Sequence, residues 1–417
     1  MNTPNRPTDD MPTLADPEVQ RCPFGAYDRM RSRGSVFFDS PTKMYVVTSY
    51  AAIRAVAGDP RTFSSANKRR VSANRDTSHS AQIDRLWREA DFVPVDTLVS
   101  CDPPIHRRHR SLVDKAFRPD RIEAAEPRIQ EIVHELIDAF PPGSFDFLPR
   151  FAIPLPMRMI SELLGVPAAM AATFKLWSDA VLEAVNLNIS GEREIETVKI
   201  KIDMYRYFWG RVEALRERPE ETLLSDLANA KPDGEFLGRS ELTGLLRNIL
   251  VAGNETTTTA LAWCAHTLTK KPDVQRELRA DPTRIPNFTE EVLRLDAPVQ
   301  GLFRRATRDV TLGGVDIPEG AILDLRWAAG NRDDAQFPSP DEMNLHRPNQ
   351  AQHLTFGFGI HFCLGNRLAR AELAHAVRLL LARSRNISLV PGESSLEQVT
   401  HYFARGVRRL MIDFDPA

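Results

Sequence analysis

The 417-residue chain has no run approaching the roughly 18 consecutive apolar residues of a membrane-spanning helix. Residues 1–16 are polar and proline-bearing, without the apolar centre of a secretion signal. A cytoplasmic protein with no membrane anchor is therefore expected. Cysteine is scarce: Cys22, Cys101, Cys264 and Cys363 are the only four, too widely spread for a disulfide framework, which fits a reducing compartment. Neither charge is in excess, with 54 lysines and arginines against 56 aspartates and glutamates, so no nucleic-acid partner is expected. The chain also lacks internal repeats, low-complexity runs and any Gly/Ser-rich or charged linker. Residues 1–20 read as a flexible tail and residues 21–417 as a single domain, whose 42% apolar content is enough for a large core.

What is present is mostly helical periodicity with small β elements. Residues 24–33 read as a short helix, and 36–38 with 44–48 as a hairpin around Ser40-Pro41-Thr42. A further short helix is expected at 83–90. Asp102-Pro103-Pro104 opens a helix carrying His106 and Arg110 on one face, four residues apart. Longer helical patterns cover 121–140, 152–164, 170–187 and 192–218, with breaks at Pro141-Pro142-Gly143, Gly165-Val166-Pro167 and 186–191. The apolar pattern over 245–268 is interrupted by Ala252-Gly253-Asn254-Glu255 and four threonines, 256–259. Glycine and consecutive β-branched residues suit a helix interior poorly, and local rules are broken where function is concentrated. Residues 285–295 form a helix with Glu291 and Arg294 on one face, a spacing common on exposed helices and weak alone. Residues 310–323 read as a hairpin, 366–384 as a helix, and β segments close the chain. The basic triplet Lys68-Arg69-Arg70 reads as a solvated face.

The most informative stretch is Phe356-Gly357-Phe358-Gly359-Ile360-His361-Phe362-Cys363-Leu364-Gly365. Its glycines allow a tight turn that leaves Cys363 at the mouth of the following helix, where the helix dipole and free N–H groups favour a thiolate. A lone cysteine is more often a buried structural residue. A zinc site would need about four ligands, and no second Cys or His cluster lies nearby.

At these residues the chain resembles the cytochrome P450 family, whose haem-binding signature is Phe, two residues, Gly, one residue, His or Arg, one residue, Cys, one residue, Gly. Phe356, Gly359, His361, Cys363 and Gly365 match every fixed position. The resemblance extends over nearly the whole chain and implies a mainly α fold with small β-sheets (α+β), haem lying between the long distal helix and the Cys-bearing proximal loop. It implies haem b, with Cys363 as the iron ligand. His106, Arg110, Arg304 and His361 would hold propionates, and Ala252, Gly253 and Gly365 would adjoin the cofactor. Gly253, Glu255 and Thr256 match the family's distal acid–alcohol pair, with Glu where many members carry Asp. Glu291 and Arg294, with Arg347 as the third member, match its structural ion pair. The link at 186–191 corresponds to its mobile lid.

The activity so implied is monooxygenation: one atom of dioxygen enters an unactivated C–H bond and the other leaves as water. No flavin or iron–sulfur segment is present, so electrons should come from a ferredoxin and its NAD(P)H-dependent reductase. Arg107, Arg108, Lys115 and Arg118 would offer an acidic partner a docking surface, and a monomer is expected. Positions inferred to line the substrate site are Phe92, Val95, Asn248, Val251, Gln300, Leu302 and Phe403, with the turn 401–406 facing the substrate. These are largely apolar with two amides, which suits a terpenoid or steroid-like molecule. Arg69, Arg70 and Arg75 keep a small aromatic acid in view. A peroxide-using haem-thiolate enzyme and a substrate-free haem sensor or electron carrier are the other readings; the intact acid–alcohol pair and the lid-like break weigh against them.

Overall fold

The structure is a computed structural model and describes residues 11–66, 79–183, 189–392 and 395–417. The expected basic triplet, Arg75, and residues 186–188 of the expected lid break lie outside that range. The chain divides into two compact units that it crosses more than once, each built on its own apolar cluster.

The first unit comprises Met1–Asn74, Asp281–Cys363 and Leu396–Arg409. Order begins before residue 21: Pro17–Arg21 is helical, capped by the Asp16 side chain, and Leu14 is buried. The hairpin Val36–Asp39 and Met44–Val47 forms as expected. Met44–Val47 then pairs in parallel with Ile322–Leu325, and Leu302–Ala306 and Phe63–Ser64 complete a five-stranded sheet. Val36, Val47, Leu323 and Leu325 bury one side of it with Ile53 and Val56 of the helix Tyr50–Gly58 and with Trp327 and Phe337. The hairpin expected over 310–323 is shorter. Val310–Leu312 pairs with Val315–Ile317 around Gly313-Gly314, whose φ values of +59° and +79° make the tight turn. Pro318, with no N–H to give, and Gly320, at φ +81°, then turn Ile322–Leu325 away into the larger sheet.

The second unit comprises Arg75–Ala280, Leu364–Ser395 and Leu410–Ala417, and it is mainly helical. Its helices include Ser80–Glu89, Ile105–Val113, Pro119–Asp138, Pro154–Leu164, Ala171–Glu183 and Gly191–Glu217. Ser190 caps the last of these by accepting the Arg193 N–H. The long helix Arg239–Lys270 is apolar over most of its circumference and mostly buried, as such a helix must be. It runs unbroken through the threonines because Thr257, Thr258 and Thr259 are packed inside, while Thr256 Oγ1 donates back to Ala252 O at 2.7 Å. The helix expected to reach Ser384 stops as Asn366–Ala382. Ser384 instead starts the strand Ser384–Leu389, which pairs antiparallel with the end of Val407–Pro416.

Glu372 on the helix Asn366–Ala382 is 1% exposed, and its Oε2 makes no hydrogen bond among the described residues. Burial pushes its carboxyl well above the ordinary value of 4.5. The folded chain therefore keeps a proton that the unfolded chain releases. Unfolding free energy is expected to fall as pH rises above the ordinary carboxylate value, by up to about 1.4 kcal/mol per pH unit. Glu372→Gln should flatten that slope in urea melts across a pH series. Equal slopes for the two proteins would mean that Glu372 is ionised in the fold.

Candidate functional site

Gly357 and Gly359 take φ of +73° and +74°, and the Cys363 N–H donates to Phe356 O at 2.8 Å, closing the loop. The loop is seated on the helix Tyr50–Gly58. A Cβ on Gly359 would lie 2.4 Å from Ala57 O, and the Arg54 guanidinium covers the Phe358 ring at 4.3 Å. Only glycine permits that approach. Cys363 is half-buried, outside any disulfide, and close before the helix Asn366–Ala382. His361 Nε2 shares a hydrogen bond of 2.9 Å with Ser65 Oγ. Among the described residues, no group of three or more His, Cys, Asp or Glu is placed to hold a metal ion. A single soft thiolate suits a metal whose other ligands belong to a macrocycle, so this donor set fits haem.

The loop is anchored through a buried ion cluster in the same unit. Glu291 Oε1 accepts from Arg294 Nε at 2.7 Å and Arg347 Nε at 3.1 Å, while Oε2 accepts from Arg294 Nη2 at 3.0 Å and the Asn344 N–H at 2.9 Å. The two guanidinium groups also donate to the carbonyls of Asn331, Pro338, Ser339, Pro340 and Glu342, fixing the irregular segment 331–347. Asn331 continues the chain of contacts, accepting from the Leu354 N–H at 2.6 Å and donating to Thr355 Oγ1 at 2.9 Å. Thr355 in turn donates to Leu293 O at 2.7 Å and immediately precedes Phe356. Sequence reasoning found Glu291, Arg294 and Arg347 but not Asn331 or Thr355, whose roles are set by backbone partners far along the chain.

In the second unit, the long helix brings Ala252, Glu255 and Thr256 to adjacent turns. Ala252 is exposed in the middle of an otherwise buried helix, and Val251, Gly253 and Thr256 are half-buried. The smallness of Gly253 is used in packing, since a Cβ there would meet Ile160 Cδ1 at 3.0 Å. Glu255 has a partner absent from the sequence reading: Lys175, 3.4 Å away on the helix Ala171–Glu183, which also pairs with Asp179. Asn254 Nδ2 donates to Glu255 at 3.3 Å. Burial raises the Glu255 carboxyl above its usual range, while the Lys175 charge pulls it back; the net direction is up. Burial also works against the Lys175 charge, but Glu255 and Asp179 outweigh it. Lys175 and Asp179, one helical turn apart, were the signal available in the sequence.

His106 is buried on the helix Ile105–Val113, and burial, with Arg110 and His109 nearby, lowers its pKa. Arg110 Nε donates to Asp114 at 2.7 Å, and Arg304, 4% exposed in the first unit, donates to Phe303 O at 2.7 Å. Of the basic residues read as a docking surface, Arg107, Lys115 and Arg118 are exposed, but Arg108 is held by Glu241 and by Asp233 at 2.7 Å.

The residues read as substrate-facing are distributed between the units. In the second, Phe92 is packed in the core, its ring 5.3 Å from Tyr205 and under the Arg239 guanidinium. Val95 and Val251 are half-buried, and Asn248 Nδ2 donates to Thr97 O at 2.9 Å and Thr97 Oγ1 at 2.8 Å, so its amide fixes the chain before it can meet a ligand. In the first, Leu302 is exposed, Phe403 is half-buried, and Gln300 is buried with its N–H donating to Phe403 O at 2.7 Å.

The family model described as Cytochrome P450 matches residues 191–394. Among relatives, putative cytochrome P450 YjiB of Bacillus subtilis (strain 168) is 37% identical over 383 residues, covering 90% of this chain and 91% of that protein. The mycinamicin IV hydroxylase/epoxidase of Micromonospora griseorubida is 38% identical over 373 residues, covering 88% and 89%. Among solved structures, CYP109E1 from Bacillus megaterium in complex with testosterone has a TM-score of 0.82 at 30% identity, covering 95% of this chain and 99% of that one. Fold, loop and relatives agree: the chain belongs to the cytochrome P450 family of haem b monooxygenases.

Proposed function

We propose that the protein hydroxylates a medium-sized, largely apolar molecule of terpenoid or steroid-like class, as a cytoplasmic monomer taking electrons from a ferredoxin and its NAD(P)H-dependent reductase. The observation that carries this reading is the turn from Ala252 to Thr256: small and uncovered at Ala252, with a carboxyl and a hydroxyl beside it on a helix otherwise packed in protein. Bound haem b supplies the iron at which dioxygen is reduced and one oxygen atom is passed to a C–H bond. In this reading Cys363 is the thiolate ligand, and His106, Arg110, Arg304 and His361 hold the propionates by charge-assisted hydrogen bonds. Thr256 orients a proton donor toward the reacting oxygen. Glu255, held part-way toward its neutral form by burial and toward its charged form by Lys175, exchanges protons with water.

The testosterone-bound neighbour supports a steroid-like substrate. Val95, Val251, Leu302 and Phe403 would supply most of the apolar contact. Exposed Arg107, Lys115 and Arg118 on the second unit are candidate contacts for the electron donor.

The test is a titration of the Soret band of the ferric protein with terpene alcohols, steroids and aromatic acids. A saturable blue shift with a terpene or steroid is the expected result. A shift with aromatic acids alone would overturn the substrate class.

A further inference from the structure

A ring of buried polar groups in the first unit takes no part in ligation or proton supply. Its members, Tyr27, Gln300, Asp324, Arg326 and Tyr402, are each no more than 2% exposed. Tyr402 Oη donates to Asp324 Oδ2 at 2.7 Å, and Arg326 Nε donates to the same oxygen at 2.8 Å. Arg326 Nη1 donates to Tyr402 O at 2.8 Å, with its guanidinium 4.3 Å from the centre of the Tyr402 ring. Tyr27 donates its hydroxyl to Gln300 Oε1 at 3.3 Å. The backbone closes the ring, because the Gln300 N–H donates to Phe403 O at 2.7 Å.

Burying an ion pair is costly, and apolar residues of the same size fill such a space as well or better. What the pair adds is direction. The ring joins four pieces of chain: the helix Phe24–Arg33, the end of the strand Ile322–Leu325, the segment 296–301, and the turn 401–405. The last two are also stitched directly, by the Arg405 N–H to Pro298 O at 2.9 Å, the bridge between Val299 and Ala404, and the ion pair of Arg405 with Asp296. Gly301 sets how closely the strand approaches, since a Cβ there would lie 2.5 Å from Leu325 O. Gln300 is held at both ends of its amide: Oε1 accepts from Tyr27 and Nε2 donates to Ala297 O at 2.6 Å.

We propose that Asp324 and Arg326 are positioning residues for substrate selection: through Tyr402 and Gln300 they fix where Phe403 and Leu302 stand. The inference rests on the reading above that Phe403 and Leu302 face the substrate. Gln300 then contributes by holding the wall in place.

The test uses the haem-loaded full chain and two probes that bind iron through nitrogen, imidazole and 4-phenylimidazole. The first needs only the iron; the second must also fit against the wall. Tyr402→Phe removes one hydroxyl from the ring, and Tyr27→Phe independently cuts the link to Gln300. Each is expected to leave the imidazole Kd within about twofold of wild type and to shift the ratio of the two Kd values by roughly fivefold or more, the scale of one buried hydrogen bond. A lowered melting temperature with an unchanged ratio in both variants would overturn the proposal, because a merely structural ring would lose stability alone. Phe403→Ala separates this failure from failure of the underlying reading. If it shifts the ratio while the tyrosine variants do not, only the positioning role falls; if it leaves the ratio unchanged, the substrate-facing assignment falls with it.

Discussion

Glu291→Ala is expected to yield protein that folds poorly and carries no haem. Glu291 and Arg294 are 0% exposed and Arg347 is 4% exposed, so the substitution leaves two guanidinium groups together in the interior with no counter-charge. Removing one partner of a buried ion pair costs about 3–5 kcal/mol, against a whole-domain stability of about 5–15 kcal/mol. The damage also has a direction. The two arginines hold five carbonyls of the segment 331–347, and Asn331 in that segment positions Leu354 and Thr355, the residues that lead into the Cys363 loop. Loosening the cluster therefore loosens the ligand. Cys363 can bind iron only where its loop is fixed, so haem content should fall further than secondary structure does. Haem-to-protein ratio and circular dichroism, measured together on the purified variant, check this. Recovery of fully haem-loaded protein with wild-type melting would show that the cluster does not support the loop.

Much of this was legible because the signals are local. The helix Phe24–Arg33 and the helix Ile285–Leu295 have the bounds that periodicity and the surrounding proline and glycine assign. The Cys363 loop is written in glycines whose positive φ values and close approach to Ala57 leave no alternative residue. Sequence reasoning missed what depends on partners distant in the chain. Lys175 lies 80 residues from the carboxylate it holds, and Asp324 accepts from the Tyr402 hydroxyl, 78 residues away. Asp324 and Arg326 flank Leu325 near the end of a strand, a pattern that reads as an exposed face when it is in fact the inside. Hairpin 310–323 failed for a different reason: alternation continues past Ile317, but Pro318 and Gly320 redirect the chain, and alternation alone carries no information about which strand lies alongside.

Thr256→Ala is expected to leave substrate binding and consumption of reducing equivalents near wild type while most of the reduced dioxygen is released as hydrogen peroxide. The substitution removes the hydroxyl one turn from Ala252, and with it the hydrogen bond from Thr256 Oγ1 to Ala252 O. The backbone does not need that bond. A threonine hydroxyl bonding back one turn tends to bend a helix slightly, and alanine is the better helix former, so the variant should melt no lower than wild type. What is lost is a donor positioned toward the reacting oxygen. Positioned acid–base groups accelerate a proton transfer by about 10²–10⁴-fold, so product formed per NADH should fall by roughly tenfold or more. Thr256→Ser, which restores the hydroxyl, should recover most of the coupling. Glu255→Gln should instead slow the whole cycle: it removes the titrating group that Lys175 and burial hold between two states, while Thr256 stays in place. Product, peroxide and NADH measured in one reaction with a surrogate ferredoxin system distinguish these outcomes. Unchanged product per NADH in Thr256→Ala would remove the hydroxyl from the proton path and leave Glu255 as its principal side chain.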